Sequence, residues 1–418
     1  PTATGSAPPE FETVTPIGLA SNDPIFAVGN ETVASPAPIR GSLGASILGP
    51  VNVALEQQNP DLLAPPTTDH GSIGNAKWPM SLSHNRLQTG GWARQQNVKV
   101  MPAATEMAGV NMRLEAGAFR ELHWHTAAEW GYVMTGTTQV TSIDPEGRNY
   151  IANVNEGDLW YFPPGIPHSL QATGDGEGTE FLLVFDSGDF DEDGTLLLTD
   201  WMAHIPMDVL AKNFQVDPSA FDHVPSSELY IFPAEPPASG EPQAVEDPTG
   251  QVIIPYSFEF SKVQPTQHPG GTVKIVDSTT FNISTTIAAA EVTVASGAMR
   301  ELHWHPTQDE WTFFLGGQAR MTLFAGSGNA QTFDFQAGDV GYIPASFGHY
   351  IENVGNDTLH FLEVTKTAFA HRPYIDRFQD ISLSQWLAVT PPAVVKAHLG
   401  FDDTTIAHLN KTKQAVVG

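Results

Sequence analysis

Gly117 to His125 reads GAFRELHWH, and Gly297 to His305 reads GAMRELHWH; the two segments differ only where Phe119 stands against Met299. Working outward, more of the first segment's surroundings recur after the second. Gly90-Gly91 returns as Gly270-Gly271, Glu129-Trp130 as Glu310-Trp311, Gly157-Asp158 as Gly338-Asp339, and His168 as His349. Farther on, Asp200-Trp201-Met202-Ala203 has a fainter echo in Gln385-Trp386-Leu387-Ala388. The chain is therefore a duplication of one unit of about 180 residues, and that periodicity decides the architecture.

Within each unit the apolar segments are short, rich in Val, Phe, Tyr and Thr, and split by Gly and Pro. Trp130 to Val140, Asp158 to Pro163 and Glu180 to Phe185 are examples. Turn signals at this spacing predict an all-β fold of two tandem barrels. Trp201 to Phe214 and Leu383 to Leu399 read as helical appendages, one behind each barrel. Residues 1–55, rich in Pro, Gly, Ala and Ser, read as an extended N-terminal arm. Residues 56–216 form the first domain, the Pro-rich stretch 217–250 a linker, and 251–418 the second domain.

The 418 residues include 47 Asp and Glu against 19 Lys and Arg, a formal charge of -28. Such a field repels nucleic acid and anionic membrane surfaces, which excludes both as partners. It also repels a small anionic substrate unless a local cation corrects it, so each Arg near a functional position matters. There is no cysteine, which excludes thiolate nucleophiles, Cys-bound metals and disulfides. No run of about 18 apolar residues is present to span a membrane as a helix. The start at Pro1-Thr2-Ala3 without Met, the acidic balance and the sequons at Asn30, Asn282, Asn356 and Asn410 point to a secreted, N-glycosylated protein.

His123-Trp124-His125 puts two imidazoles at i and i+2, on one face of a strand. Glu129 and His168 complete a set of nitrogen and oxygen donors, and His303, His305, Glu310 and His349 repeat it in order. Pro306 follows His305, so the strand is expected to end there, with the Glu opening the next one. A lone H-x-H is weak support, since buried histidines satisfied by hydrogen bonds are common. Two complete sets are strong. Three His and one carboxylate leave two positions of an octahedron open, which suits Mn or Fe and leaves room for a bidentate ligand or dioxygen.

At this point the chain resembles a known family. Gly117-x5-His123-x-His125-x3-Glu129-x6-Gly136 and Gly297-x5-His303-x-His305-x4-Glu310-x6-Gly317 match the first cupin motif. Gly157-x5-Pro163-x-Gly165-x2-His168 matches most of the second, with Ala172 where Asn is usual. In the other half Gly338-x5-Pro344 fits, Ser346 replaces Gly, and His349-x3-Asn353 restores the Asn. From about Gln58 to Phe401 the closer resemblance is to bicupin oxalate decarboxylases, through both RELHWH segments, Gly90-Gly91-Trp92-Ala93-Arg94 and Leu198-Thr199-Asp200-Trp201. The resemblance implies two jelly-roll barrels, two Mn per chain, dioxygen as co-catalyst, oxalate split to formate and carbon dioxide, and homo-oligomers, trimers or hexamers. Oxalate oxidase, giving carbon dioxide and hydrogen peroxide, and a non-enzymatic storage bicupin are the alternatives.

The resemblance also assigns Arg120, with Arg300 as its repeat mate, to polarising a bound carboxylate. Arg120 lies three residues before His123, so strict alternation sends it to the opposite face. Either the strand is bulged there or Arg120 is a surface residue. Ser187 to Gly194 resembles the family's lid over the first site, with Glu192 as proton donor. Asp189, Asp191, Asp193, Gly194 and Asp200 also fit most of a calcium loop. The second half has Thr367 to Arg372 in place of the lid, and Glu363, inside an apolar strand where the first repeat has Leu183, is the second acid candidate. The first barrel is expected to carry turnover.

Overall fold

The computed structural model describes residues 35–174, 176–240, 242, 244–366 and 378–418. Asn30 and the Thr367–Arg372 stretch lie outside the described residues.

Each repeat folds as two facing antiparallel sheets, one of six strands and one of seven. In the first, the six-stranded sheet runs through Thr137–Ile143, His168–Ala172 and Phe119–Trp124; the seven-stranded one runs through Leu159–Phe162, Glu129–Thr135, Thr179–Phe185, Ala108–Leu114 and Gly91–Gln96. Alternating apolar residues close the interior, among them Val110, Met112, Val140, Trp160, Leu170 and Phe181. The second barrel repeats this order, with Phe314, Met321, Phe335, Ile351 and Phe361 inside.

The seven-stranded sheets use both faces. Trp130, Tyr132, Leu182 and Val184 of the first pack with Ala289, Trp311, Phe313, Leu362 and Val364 of the second in one shared core. Trp311 Nε1 donates to Gln96 Oε1 at 2.7 Å across this contact. A Cβ at Gly109 would stand 2.3 Å from the Trp311 ring, so only glycine allows the approach.

The sheets do not respect the domain borders expected from sequence. Lys77–Pro79 is the edge strand of the second barrel, pairing Asp339, Val340 and Gly341. Ser257–Phe258 is the edge strand of the first, pairing Leu159 and Trp160. The repeats thus exchange strands, and residues 56–79 and 251–258 belong with the opposite barrel. Part of the linker is also sheet, since Ile231–Phe232 pairs Arg120 and Phe119. The arm is not simply extended. Ile39–Arg40 and Leu43–Gly44 form a hairpin, and Val53–Gln58 and Pro60–Leu63 are helical. Arg40 and Arg320 grip Asp61, and Arg320 also grips Asp334 of the second barrel.

The helical appendages are present but broken. Leu198–Ala203 and Met207–Phe214 are separated at Pro206, and Leu383–Val389 and Pro392–Leu399 at Pro391. Asp403–His408 adds a further turn of helix. No helix among the described residues is long and apolar enough to cross a membrane.

Candidate metal centres and their acid partners

In each barrel the H-x-H strand stops after the Trp, at Phe119–Trp124 and Met299–Trp304, and the Glu opens the next strand, Glu129–Thr135 and Glu310–Gly316. His168 and His349 begin the neighbouring strand and pair directly with His123 and His303. This register brings His123, His125, Glu129 and His168 together, and likewise His303, His305, Glu310 and His349. The ligand atoms of each set lie within 4.8 Å of one another, and all eight residues are buried. Both quartets that the sequence pointed to are therefore assembled.

The hydrogen bonds test whether a cation fits. All six imidazoles place Nδ1 2.6 to 3.0 Å from a backbone carbonyl, those of Glu121, Ala127, Ile166, Glu301, Gln379 and Phe347. A carbonyl only accepts, so Nδ1 carries the proton and Nε2 presents a lone pair to the centre. There the lone pairs face a carboxylate. Glu129 Oε2 is 3.2 Å from His125 Nε2 and 3.3 Å from His168 Nε2, and Glu310 Oε2 is 2.9 Å from His305 Nε2 and 3.1 Å from His349 Nε2. His303 Nε2 and His305 Nε2 have no hydrogen-bond partner. Buried lone pairs converging on a carboxylate repel unless a cation stands among them, so the donor set fits a divalent metal.

Electrostatics favour the same state. Burial, then Arg120 and the neighbouring imidazoles, holds His123 well below the usual histidine range, and His303 is treated alike with Arg300 in that role. Burial pushes Glu129 upward, but His168 and His125 overcome it and hold the carboxyl well below the usual range. Trp160 Nε1 donates to its other oxygen at 2.7 Å. Phe162 stacks on His168, and Phe185 and Phe190 border His125, an apolar shell that limits water.

The question left by strict alternation is answered by a bulge. His168 pairs His123, yet Leu170 pairs Arg120, so the first strand carries one extra residue between them; His349 and Ile351 pair His303 and Arg300 in the same way. The bulge turns Arg120 inward, where it is 0% exposed. Glu192 meets it there. Arg120 Nε donates to Glu192 Oε1 at 2.9 Å, Nη2 to Thr195 Oγ1 at 2.8 Å, and Tyr230 Oη to Glu192 Oε1 at 3.0 Å. Arg120 Nη1 has no partner. Burial and the Glu192 carboxylate push the Tyr230 phenol well above its usual range, which keeps it a donor.

In the second barrel, Arg300 Nε and Nη2 donate to Glu363 at 3.0 and 3.3 Å, Nη2 also pairs with Asp380, and Nη1 reaches the Ala415 carbonyl at 3.4 Å. Glu363 is buried as expected and, like Glu192, is one half of an ion pair with its arginine.

The calcium reading of the lid does not survive. Asp191 and Asp193 point at Lys99 and Arg86, and Asp200 lies on the following helix beside His204. Sequence reasoning missed Tyr230, Thr195, Asp380 and Lys413, which come from remote segments and belong to no motif. It also passed over Glu121 and Glu301, whose repetition inside both RELHWH segments was a usable signal. The Glu121 carboxylate is buried and accepts from Thr199 N and Oγ1, Leu229 N and Tyr230 N, fixing the segment that carries Tyr230.

Two jelly-roll barrels, each with a buried three-His, one-carboxylate centre, define a bicupin of the metal-binding kind. The cupin family pattern matches residues 83–221 and 259–407. Oxalate decarboxylase OxdC of Bacillus subtilis is 49% identical over 382 residues, 91% of this chain and 97% of that protein. A probable oxalate decarboxylase of Arthroderma benhamiae is 41% identical, over 90% of this chain and 91% of its own length. A solved structure from work on the Mn(II) centres of the Bacillus enzyme has a TM-score of 0.87 at 48% identity, covering 91% of this chain and 99% of that one. This chain belongs to the bicupin oxalate decarboxylase family.

Proposed function

We propose that the chain converts oxalate to formate and carbon dioxide at its first barrel, with Mn held by both quartets and dioxygen as co-catalyst. The observation that carries the choice of barrel is the unpaired Nη1 of Arg120, a buried guanidinium nitrogen beside the metal quartet and an acid. Arg300, its counterpart, has all three nitrogens engaged. Mn bound by His123, His125, Glu129 and His168 supplies an accessible one-electron couple, which zinc lacks.

The residues of the chain handle charge and protons. Arg120 Nη1 donates to a carboxylate oxygen of the substrate and draws electron density toward it. Hydrogen oxalate contains the one hydrogen that formate needs, so the products balance without an added proton. Glu192 takes that proton from the substrate carboxyl and returns it to the carbon left behind when carbon dioxide departs. The lid that carries Glu192 also shuts out solvent, and Phe185 and Phe190 complete that barrier. Lys in the place of Arg120 would keep the charge but lose the planar fork.

Assembly and location belong to the same proposal. Trp201 and Trp386, 57% and 53% exposed on the helical appendages, together with exposed Phe214 and Val389, fit contacts between copies in a trimer or hexamer. Asn282, Asn356 and Asn410 are exposed, as glycan acceptors of a secreted protein must be.

The test is a product assay on oxalate that measures formate and peroxide together, with elemental analysis of the same sample. Formate in excess of peroxide, with Mn approaching two per chain, is the expected result. Peroxide as the main product would make the chain an oxidase, and no product with empty centres would leave the storage alternative.

A further inference from the structure

Three consecutive lid acids each rest on a different cation. Asp191 Oδ2 is 2.6 Å from Lys99 Nζ, Glu192 Oε1 is 2.7 Å from Arg120 Nη2, and Asp193 Oδ1 is 2.9 Å from Arg86 Nη1. In a chain with 19 Lys and Arg against 47 acids, three cations meeting one tripeptide is a costly concentration of positive charge. Gln95 reinforces the arrangement, since its Nε2 donates to Asp191 Oδ1 and its Oε1 accepts from the Glu192 amide, both at 2.8 Å.

The cations are graded in depth. The side chains of Lys99, Arg86 and Arg120 are 67%, 23% and 0% exposed. Arg86 and Arg120 both stack on the Tyr230 ring, at 3.6 and 4.3 Å from its centroid. Tyr230, Arg86 and Lys99 line a cavity of about 340 Å³ whose wall also includes Glu192 and Asp193. Positive charge thus runs in a file from the surface to the first metal quartet, and the closed lid neutralises it along its length.

Among the described residues the second repeat shows no such file. Thr266 holds the place of Arg86, as the pairing of Arg86 with Ala93 and of Thr266 with Val273 shows. Thr279 holds the place of Lys99: its amide bonds the Asp277 carboxylate as the Lys99 amide bonds Asn97.

We propose that Lys99, Arg86 and Arg120 form a stepped binding site for a small dicarboxylate anion, and that Asp191, Glu192 and Asp193 are its resident counter-ions. The identity of the anion rests on the decarboxylase reading. An acidic surface repels oxalate everywhere except where the lid lifts. Lifting uncovers the three cations together, and the two carboxylates of oxalate then occupy places that lid acids have left. The outer pairs of Lys99 and Arg86 are partly exposed, individually weak and screened by salt, whereas the Arg120–Glu192 pair is buried, so there the substrate carboxylate must take the place of Glu192 as it leaves. Lid opening and anion capture become one event, because the same cations cannot serve both partners.

Opposite substitutions test this. Lys99→Met raises KM for oxalate at least about fivefold, with a smaller change in kcat, and flattens the dependence of kcat/KM on ionic strength; Lys99→Arg restores both. The double variant Asp191→Asn, Asp193→Asn, which removes competing charge, lowers KM by about twofold or more. Equal signs for the two changes, or no rescue by Arg, overturn the proposal. A readout without turnover separates it from the assigned reaction. Under argon, oxalate speeds deuterium uptake by the amides of residues 187–194 in the parent chain more than chloride does at equal ionic strength. No difference between the two salts overturns the site even if formate is made. A clear difference in a chain that makes no formate upholds the site and condemns only the decarboxylase assignment.

Discussion

The two barrels share their metal ligands to within one loop residue but differ in how they hold the arginine beside them. Arg120 is met by an acid carried on a loop, Glu192, and keeps one nitrogen unpaired. Arg300 is clamped by Glu363 on the strand Leu359–Lys366, by Asp380 and by a backbone carbonyl. Leu183 stands in the first barrel where Glu363 stands in the second, and Thr195 where Asp380 stands, each at the same register. Asp380 is held in turn by Lys413, whose ammonium burial and Arg300 push down to about 8. The difference teaches that duplicated ligands do not imply duplicated surroundings. Both acids are paired with an arginine, but Glu192 lies on a short turn outside the sheets, whereas Glu363 is built into a central strand.

The largest effect expected from breaking this asymmetry is at the metals. His123→Ala and His303→Ala each remove about one Mn per chain by elemental analysis. The first should abolish formate, while the second retains a measurable part of it; equal loss would make the barrels catalytic equals. Next comes Glu192→Gln, which keeps the size of the side chain but cannot shuttle a proton. It should lower the formate rate about 100-fold or more with both metals bound, and raise the peroxide share. Glu363→Gln should cost less than about tenfold, and the reverse ranking would move turnover to the second barrel. Arg120→Lys should lower kcat/KM at least about tenfold, or about 1.4 kcal/mol, whereas Arg300→Lys should chiefly lower the melting temperature.

A separate effect, on stability rather than turnover, concerns the grip on the arm. Burial and the neighbouring Asp334 carboxylate raise Asp61 to about 7. The folded chain then binds a proton that the unfolded chain releases above the ordinary Asp range. Stability from this group is present in acid and is lost as pH rises from about 4 to about 7. Asp61→Asn should flatten the stability profile in that window, and an unchanged profile would reject the assignment.

The barrels, the eight ligands and the Glu at the start of its strand were legible because each repeats with a fixed spacing, and a strand's period of two says which residues share a face. The inward Arg120 was not, because a bulge suspends that period and has no signature of its own in the RELHWH letters. The edge strands Lys77–Pro79 and Ser257–Phe258 are too short to carry a pattern, and their partners are hundreds of residues away or in the other repeat. Lid acids read as calcium ligands for the same reason. A run of Asp fixes the charge of a loop, but only the fold brings Lys99 and Arg86 to it.

The exchanged edge strands also bear on how the chain is made. A ribosome releases the first repeat with residues 77–79 waiting for Asp339–Gly341, and with Leu159 and Trp160 lacking the cover that Ser257 and Phe258 later provide. Bare strand edges recruit other chains, and pairings this distant in sequence close slowly. The nascent first half is therefore at its most vulnerable while the second is being synthesised, and the two repeats must reach the native state as one cooperative unit. Each barrel of the duplicated chain takes an edge strand from outside its own repeat.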